Sequence, residues 1–343
     1  MAQLAPITPT TVGSFPRPRW LVEPAANGTR VDLQFRVAEE HRQEAQDDAV
    51  LLTLHDQEGA GLELVGDGEQ RRTGFINHIL AAWDGVDLNK RHGKGIRRRT
   101  DERSVPTIVG KIERREQAAI EDLKFTKAHA NRPVKIDVPG PMTVVDTTYD
   151  EVYGDEAALA MDVAAALNAE LRELQAAGAD VLQIDEPAMT RWHEKVADHG
   201  AKALSRAIEG ITVPTIVHLC YGYPGGTTSQ HEYTYPELLD MLMETGISGF
   251  SLEFARSNYP LEVLRHVEGR IVMLGCVDPG DTPVAPVADV ADYVRAALEY
   301  VAPENLWLAP DCGLMTISRD LAHAKATLIA DAAHAVRDSF IKR

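Results

Sequence analysis

Eight short apolar runs, most followed by a stretch of helical character, constrain this chain more than any other feature. The runs fall at residues 10–16, 61–66, 133–138, 181–184, 214–217, 249–252, 270–274 and 306–309. Helical stretches are predicted within 31–59 and over 155–177, 189–208, 235–245, 287–301 and 318–337. The clearest, 155–177, is rich in Ala, Leu and Glu, contains neither Pro nor Gly, and stops at Gly178. Strands alternating with helices form a parallel sheet with helical crossovers, and eight such units favour closure into a barrel over an open sheet. The expected fold is therefore α/β: one (β/α)8 TIM barrel spanning residues 1–343, with a loose N-terminal lead-in over 1–9. An insertion of about residues 74–130 follows the second strand.

The composition narrows the function. Hydrophobic residues make up 44% of the 343 and the net charge is −17. A large core is available, while the acidic surface argues against nucleic acid or anionic membrane as partner. No apolar run approaches the ~18 residues of a membrane span, and no basic-then-apolar leader opens the sequence. Three cysteines, Cys220, Cys276 and Cys312, are too few and too scattered for a disulfide framework. A reducing, cytoplasmic location is expected, where thiols remain available to a metal.

Unusual polar residues collect just after the expected strands: Ser14, Glu69, Asp185, Glu186, His218, Cys220, Glu253, Asp278, Asp311 and Cys312. In a parallel barrel all strand C-termini open on one face, so these side chains would converge. His218 and Cys220 are two apart at a strand end and point the same way. Glu253 and Cys312 arrive from later strands. Imidazole, two thiolates and one carboxylate form a set suited to zinc, with the carboxylate as the displaceable ligand. Such a centre would bind a small thiol as thiolate for alkylation. Glu69 and Asp185, acceptor-only when ionised, suit a substrate ammonium. Cys276 also follows a strand, but is read as a core or supporting residue because four ligands are already supplied. The basic run from Lys90 through Arg103 in the insertion reads as a solvated hairpin or as a clamp for an anionic group.

Several motifs resemble the catalytic barrel of the cobalamin-independent methionine synthase family. They are Val12-Gly13-Ser14-Phe15-Pro16, Asp67-Gly68-Glu69, Gly140-Pro141-Met142-Thr143, Gln183-Ile184-Asp185-Glu186-Pro187-Ala188, His218-Leu219-Cys220-Tyr221 and Pro310-Asp311-Cys312-Gly313-Leu314. The resemblance spans nearly the whole chain in family order. It implies zinc ligands at His218, Cys220, Glu253 and Cys312, and amino-acid contacts at Ser14, Glu69 and Asp185. Three positions depart from the long, folate-using members: Thr147 stands where they carry Trp, Arg191 where they carry Glu, and Pro279-Gly280 follows Asp278 where they carry a His. The zinc and thiol side is intact and the folate side is not.

The resemblance thus implies a short methionine synthase-like enzyme that methylates homocysteine, or another small thiol, from methylcobalamin or a corrinoid protein rather than methyltetrahydrofolate. A carbon–cobalt donor needs no proton on its leaving group, in keeping with the missing His. The alternatives are an epoxyalkane:coenzyme M transferase-like thiol alkyltransferase and a non-catalytic zinc-binding barrel.

Overall fold

The structure, a computed structural model, describes residues 4–23, 33–98, 101–221, 234–257 and 259–341. The chain begins β1 (Thr8–Pro9), α1 (Arg42–Gly59), α2 (Asn77–Leu80), β2 (Trp83–Lys94), β3 (Arg103–Arg114), α3 (Ile120–His129), β4 (Lys135–Pro139) and α4 (Pro141–Asp146). It continues β5 (Tyr149–Asp150), α5 (Glu156–Ala176), β6 (Val181–Asp185), α6 (His193–Lys195), α7 (Ala201–Ala207), β7 (Thr215–Leu219), α8 (Tyr235–Leu242) and β8 (Gly249–Glu253). β9 (Ile271–Val277), α9 (Val287–Ala297), β10 (Leu306–Pro310) and α10 (Arg319–Ile341) complete it.

Seven parallel strands pair in the order β1-β10-β9-β8-β7-β6-β4. Residues 62–65 close the ring as the eighth stave. Leu64 bridges Thr10 and Val65 bridges Val134, both in parallel sense. The Glu63 N–H donates to Pro9 O at 3.0 Å, and the Lys135 N–H to Val65 O at 2.8 Å. The predicted (β/α)8 arrangement is therefore present, with its second strand reduced to bridges.

Two local expectations change. The first strand is Thr8–Pro9 rather than 10–16. Ile7 and Thr8 are fully buried, so the supposed lead-in already belongs to the barrel from residue 7. Beyond Val12 the chain leaves the ladder and crosses the mouth, where the Phe15 N–H meets Gly68 O at 3.1 Å. The helix expected over 189–208 begins only at His193 and runs through α6 and α7 to Ala207, widened between them by a π-helical turn at Val196–Gly200. That turn packs Gly200 so tightly on Met142 that a Cβ would lie 2.2 Å from the sulfur.

The insertion is an antiparallel β2–β3 hairpin extended by β5. Arg114 fastens it to α5 through Glu170 and Glu173, both at under 3 Å.

Alternation of side chains along the strands sorts the barrel interior into layers. At the base, Val12, Leu64, Val181, Ile216, Met273, Trp307 and Ala309 form one apolar cluster. One step up the same inward positions carry Lys135, Gln183, His218, Ser251 and Gly275. Toward the mouth they carry Asp137, Asp185 and Glu253. The inward faces thus turn from oil to charge along the axis, which places the chemistry at the strand C-termini.

Candidate active site at the barrel mouth

Three of the four predicted metal ligands converge. The donor atoms of His218, Cys220 and Cys312 lie within 4.8 Å of one another. His218 comes from β7, where its partner in register is Ser251 of β8. The Ser251 hydroxyl meets His218 Nδ1 at 2.9 Å, which turns the other ring nitrogen toward the cluster. That nitrogen, Nε2, is buried and has no hydrogen-bond partner among the described residues. One ring nitrogen engaged and the other left over is the arrangement typical of a metal-ligating imidazole.

Glu253 lies outside this tight trio, at the end of the adjacent strand. It is fully buried, and neither carboxylate oxygen has a hydrogen-bond partner among the described residues. Burial, and then the charge of Cys220, push its carboxyl well above the usual range. The Cys220 thiol moves the other way: its contact with Cys312, and then His218, lower it well below the ordinary value against the effect of burial. A buried carboxylate with two orphaned oxygens beside a pair of thiols and a free imidazole nitrogen is costly unless a cation joins the set. The donor set and its unsatisfied atoms therefore fit zinc. Cys276 stays apart, with its thiol 3.6 Å from Ala309 O and burial pushing it up to about 12.

Ser14, Glu69 and Asp185 are buried on the adjoining arc, at 7%, 5% and 5% exposure. Gly313, beside Cys312, packs on Ser14: a Cβ there would lie 2.2 Å from Ser14 Oγ. Glu69 sits at φ +60°, a left-handed conformation that is unfavourable for a side-chain-bearing residue. Its N–H donates to Asp67 Oδ1 at 2.9 Å, and Arg17 donates to its carbonyl. Such strain, held by the surroundings, is common at binding sites. Burial first and then Asp137 raise Glu69 above the usual carboxylate range, and the same causes push Asp185 up to about 7.

Sequence reading missed three residues that set this arc's charge. Asp137 accepts from Arg72 Nη1 at 2.7 Å. Lys135 donates to Gln183 Oε1 at 2.7 Å, and Gln183 Nε2 donates to Asp185 Oδ1 at 2.7 Å. Asp67, Glu69, Asp137 and Asp185 thus face Arg72 and Lys135 in one buried cluster, with acid in excess. The available signal was Lys135 and Asp137 two apart inside an otherwise apolar strand, hence on one inward face.

Glu186, singled out with Asp185, has a different task. Its carboxylate accepts from the Met142 and Thr143 N–H groups at 3.0 and 2.9 Å and from the Thr143 hydroxyl at 2.7 Å. It caps the first turn of α4. A Cβ at Gly140 would lie 2.3 Å from this carboxyl, which accounts for the Gly-Pro pair.

At the rim, the three departures are all engaged. Thr147 Oγ1 donates to Thr143 O at 2.5 Å. Arg191 donates to Tyr221 O at 2.7 Å. Asp278 Oδ1 accepts from Gly280 N–H at 2.7 Å, while Lys325 holds the carbonyls of both. In the basic run, Lys90 and His92 pair with Glu151, Arg91 with Ser104, Lys94 with the Val145 and Thr148 carbonyls, Arg98 with Glu194, and Arg103 with Asp101. The Arg97 guanidinium makes no hydrogen bond or ion pair with a described residue, although its Nε is buried. Its backbone N–H is held by Asp146 at 2.9 Å, and Arg97 and Arg98 both have positive φ.

A closed parallel barrel with its polar and nucleophilic groups gathered at the strand C-termini defines a (β/α)8-barrel enzyme. Residues 7–335 match the family described as cobalamin-independent synthase, catalytic domain, and the chain belongs to that family. Over 337 residues it is 32% identical to the methionine synthase of Sulfurisphaera tokodaii, covering 97% of this chain and 94% of that one. The Saccharolobus solfataricus methionine synthase is 32% identical over 342 residues, covering 98% and 97%. A B12-independent methionine synthase from Shewanella sp. W3-18-1, solved in complex with selenomethionine, superposes with a TM-score of 0.92 at 35% identity, covering 99% of this chain and all of that one. The protein is a methionine synthase-like methyltransferase.

Proposed function

We propose that this protein methylates homocysteine to methionine, with zinc held by His218, Cys220, Cys312 and Glu253 and a methylcorrinoid, free or on a protein, as methyl donor. The observation that supports this most is the buried trio of donor atoms within 4.8 Å beside a carboxylate with two unpartnered oxygens. Zinc bound there would supply Lewis acidity, keeping a substrate thiol ionised at neutral pH.

The chain's own residues do the rest. Glu69 and Asp185 receive the substrate ammonium, whose charge offsets the acid excess of that arc. Arg72 neutralises Asp137, so the ammonium is directed to the remaining carboxylates. Ser14, packed on the Cys312–Gly313 turn, borders the amino-acid end. With the ammonium fixed, the sulfur is aimed along the barrel axis toward the mouth. There the thiolate sulfur forms a bond to the methyl carbon as the carbon–cobalt bond breaks, and the electron pair leaves with cobalt. No leaving-group proton is required, which agrees with Pro279-Gly280 standing where folate-using relatives carry a His. That the Shewanella relative was solved with selenomethionine supports an amino-acid product of this size.

Zinc-edge X-ray absorption with and without homocysteine tests the acceptor: one added sulfur and one lost oxygen are expected. Coenzyme M is the control. Its sulfonate meets an acidic arc, so it should leave the zinc environment unchanged. Methionine formed from methylcobalamin and homocysteine only by the zinc-loaded protein tests the donor.

A further inference from the structure

The candidate ligands sit where the barrel's main-chain hydrogen bonding runs out. The last β7–β8 pair in register is Leu219 with Leu252, so Cys220 and Glu253 lie one step past that ladder, and Glu253 stays paired only on its far side, with Gly275 of β9. β10 is not a neighbour of β8 at all; β9 lies between them. Segments left beyond a ladder drift unless side chains hold them.

Two buried side chains span these gaps. The Tyr235 hydroxyl donates to Leu219 O at 2.8 Å and accepts from the Glu253 N–H at 3.0 Å. Leu219 separates His218 from Cys220, so one hydroxyl touches the segments that carry three of the four donors. The ring is fully buried, stacked on Tyr259 at 4.5 Å between centroids, and packed against Tyr221 and Phe254. On the other side Asp311, which precedes Cys312, crosses over β9. Its Oδ1 accepts from the Phe254 and Ala255 N–H groups, each at 2.9 Å, and its Oδ2 from the Arg256 N–H at 2.8 Å. The crossing is possible because β9 has Gly275 beneath it; a Cβ there would lie 2.2 Å from Asp311 Oδ1.

We propose that Tyr235 and Asp311 are positioning residues, a brace that ties the ends of β7, β8 and β10 together and presets the separation of His218, Cys220, Glu253 and Cys312 for a divalent metal. This rests on the zinc reading above. Neither side chain needs to touch the ion: each fixes the backbone from which a donor projects, as groups supporting metal ligands do. Gly275 belongs to the same device.

The test is zinc affinity, measured by chelator competition, set against the thermal stability of the metal-free protein. The variants are Tyr235→Phe and Asp311→Asn, with Tyr153→Phe as control. Tyr153 accepts from the Ile112 N–H and donates to Asp162 in the distant hairpin region. Each brace variant is expected to bind zinc roughly 10- to 100-fold more weakly. Their zinc X-ray absorption should also show altered distances. The control should lose stability with zinc affinity unchanged. A brace variant that melts earlier yet binds zinc within twofold of the parent would overturn the proposal, leaving an ordinary packing role. If Asp311→Asn fails to fold, Tyr235→Phe, which removes one oxygen, decides alone. Failure of the parent protein to bind zinc would sink the metal reading itself, a result distinct from an intact site that ignores both substitutions.

Discussion

The deep part of the mouth, where β7, β8 and β10 end, and the rim built by the hairpin and the β6–α6 connection are held by different forces. The deep part is buried and bonded through short hydrogen bonds from side chains to neighbouring strands: Ser251 to His218, Tyr235 to two backbones, Asp311 to three N–H groups. The rim is charged and partly exposed, and its long side chains mostly pair with carboxylates. In a low-dielectric interior each missing partner is expensive, so the deep geometry is pinned. At the surface, ion pairs are worth little and residues can be exchanged. The intact family pattern lies in the deep part; of the positions that differ, Thr147 and Arg191 lie in or beside the rim, while Pro279-Gly280 follows β9 and is held by Lys325. On the proposed function, a barrel of this kind would keep its thiol chemistry and change its methyl donor by altering the side that is cheap to alter.

Substitutions that respect this division should differ by orders of magnitude. Cys312→Ala or His218→Ala removes a strong donor, and zinc affinity should fall by about two to three orders of magnitude, as one ligand's share of a typical structural-zinc binding energy. Metal content after dialysis and methionine formation read this out, and a zinc-replete, active Cys312→Ala protein would erase the distinction between the two regions.

Next in size is the ammonium arc. Asp185→Asn should raise the KM for homocysteine roughly 10- to 100-fold, the worth of one charge-assisted hydrogen bond, with zinc content unchanged. Asp185 is pushed up to about 7, chiefly by burial and then by Asp137. In the proposed role it would hold the ammonium only when ionised, so KM should fall as pH rises from 6 to 8, and the Asn variant should lose that dependence. An identical pH profile in both proteins would remove Asp185 from substrate binding.

Smaller again is Arg97→Ala at the rim. The Arg97 guanidinium makes no hydrogen bond or ion pair among the described residues, its charge is among the influences that lower Cys220, and its strained turn is fixed by Asp146. The substitution should raise the KM for the methyl donor, if its phosphate-bearing side meets this rim, by about tenfold or less, and leave the homocysteine KM alone. Equal changes in both would show that the rim reaches into the thiol site. Smallest is Lys90→Ala, which breaks an exposed pair with Glu151 and should alter stability by about 0.5 kcal/mol or less. A larger loss in a melting experiment would mean that the hairpin supports the barrel.

Much was legible in the chain itself. Eight apolar runs with polar residues at their ends specify a barrel and the face that carries chemistry, because strand periodicity and the parallel crossover rule are local properties. The same logic places His218 and Cys220 on one side of a strand. What folding alone decided is which groups complete one another across the ring. Asp185 and Glu186 are adjacent in sequence, yet one lines the charged arc while the other caps α4, because successive strand residues face opposite sides. Asp137 meets Arg72 from 65 residues away, and Arg319 meets Asp56 from 263. Tyr235, an ordinary apolar position of an amphipathic helix when read in one dimension, becomes the link between two strand ends. Local pattern determines where each side chain points; only closure of the sheet brings distant ends within hydrogen-bonding reach, and the spacing of the candidate ligands is set there.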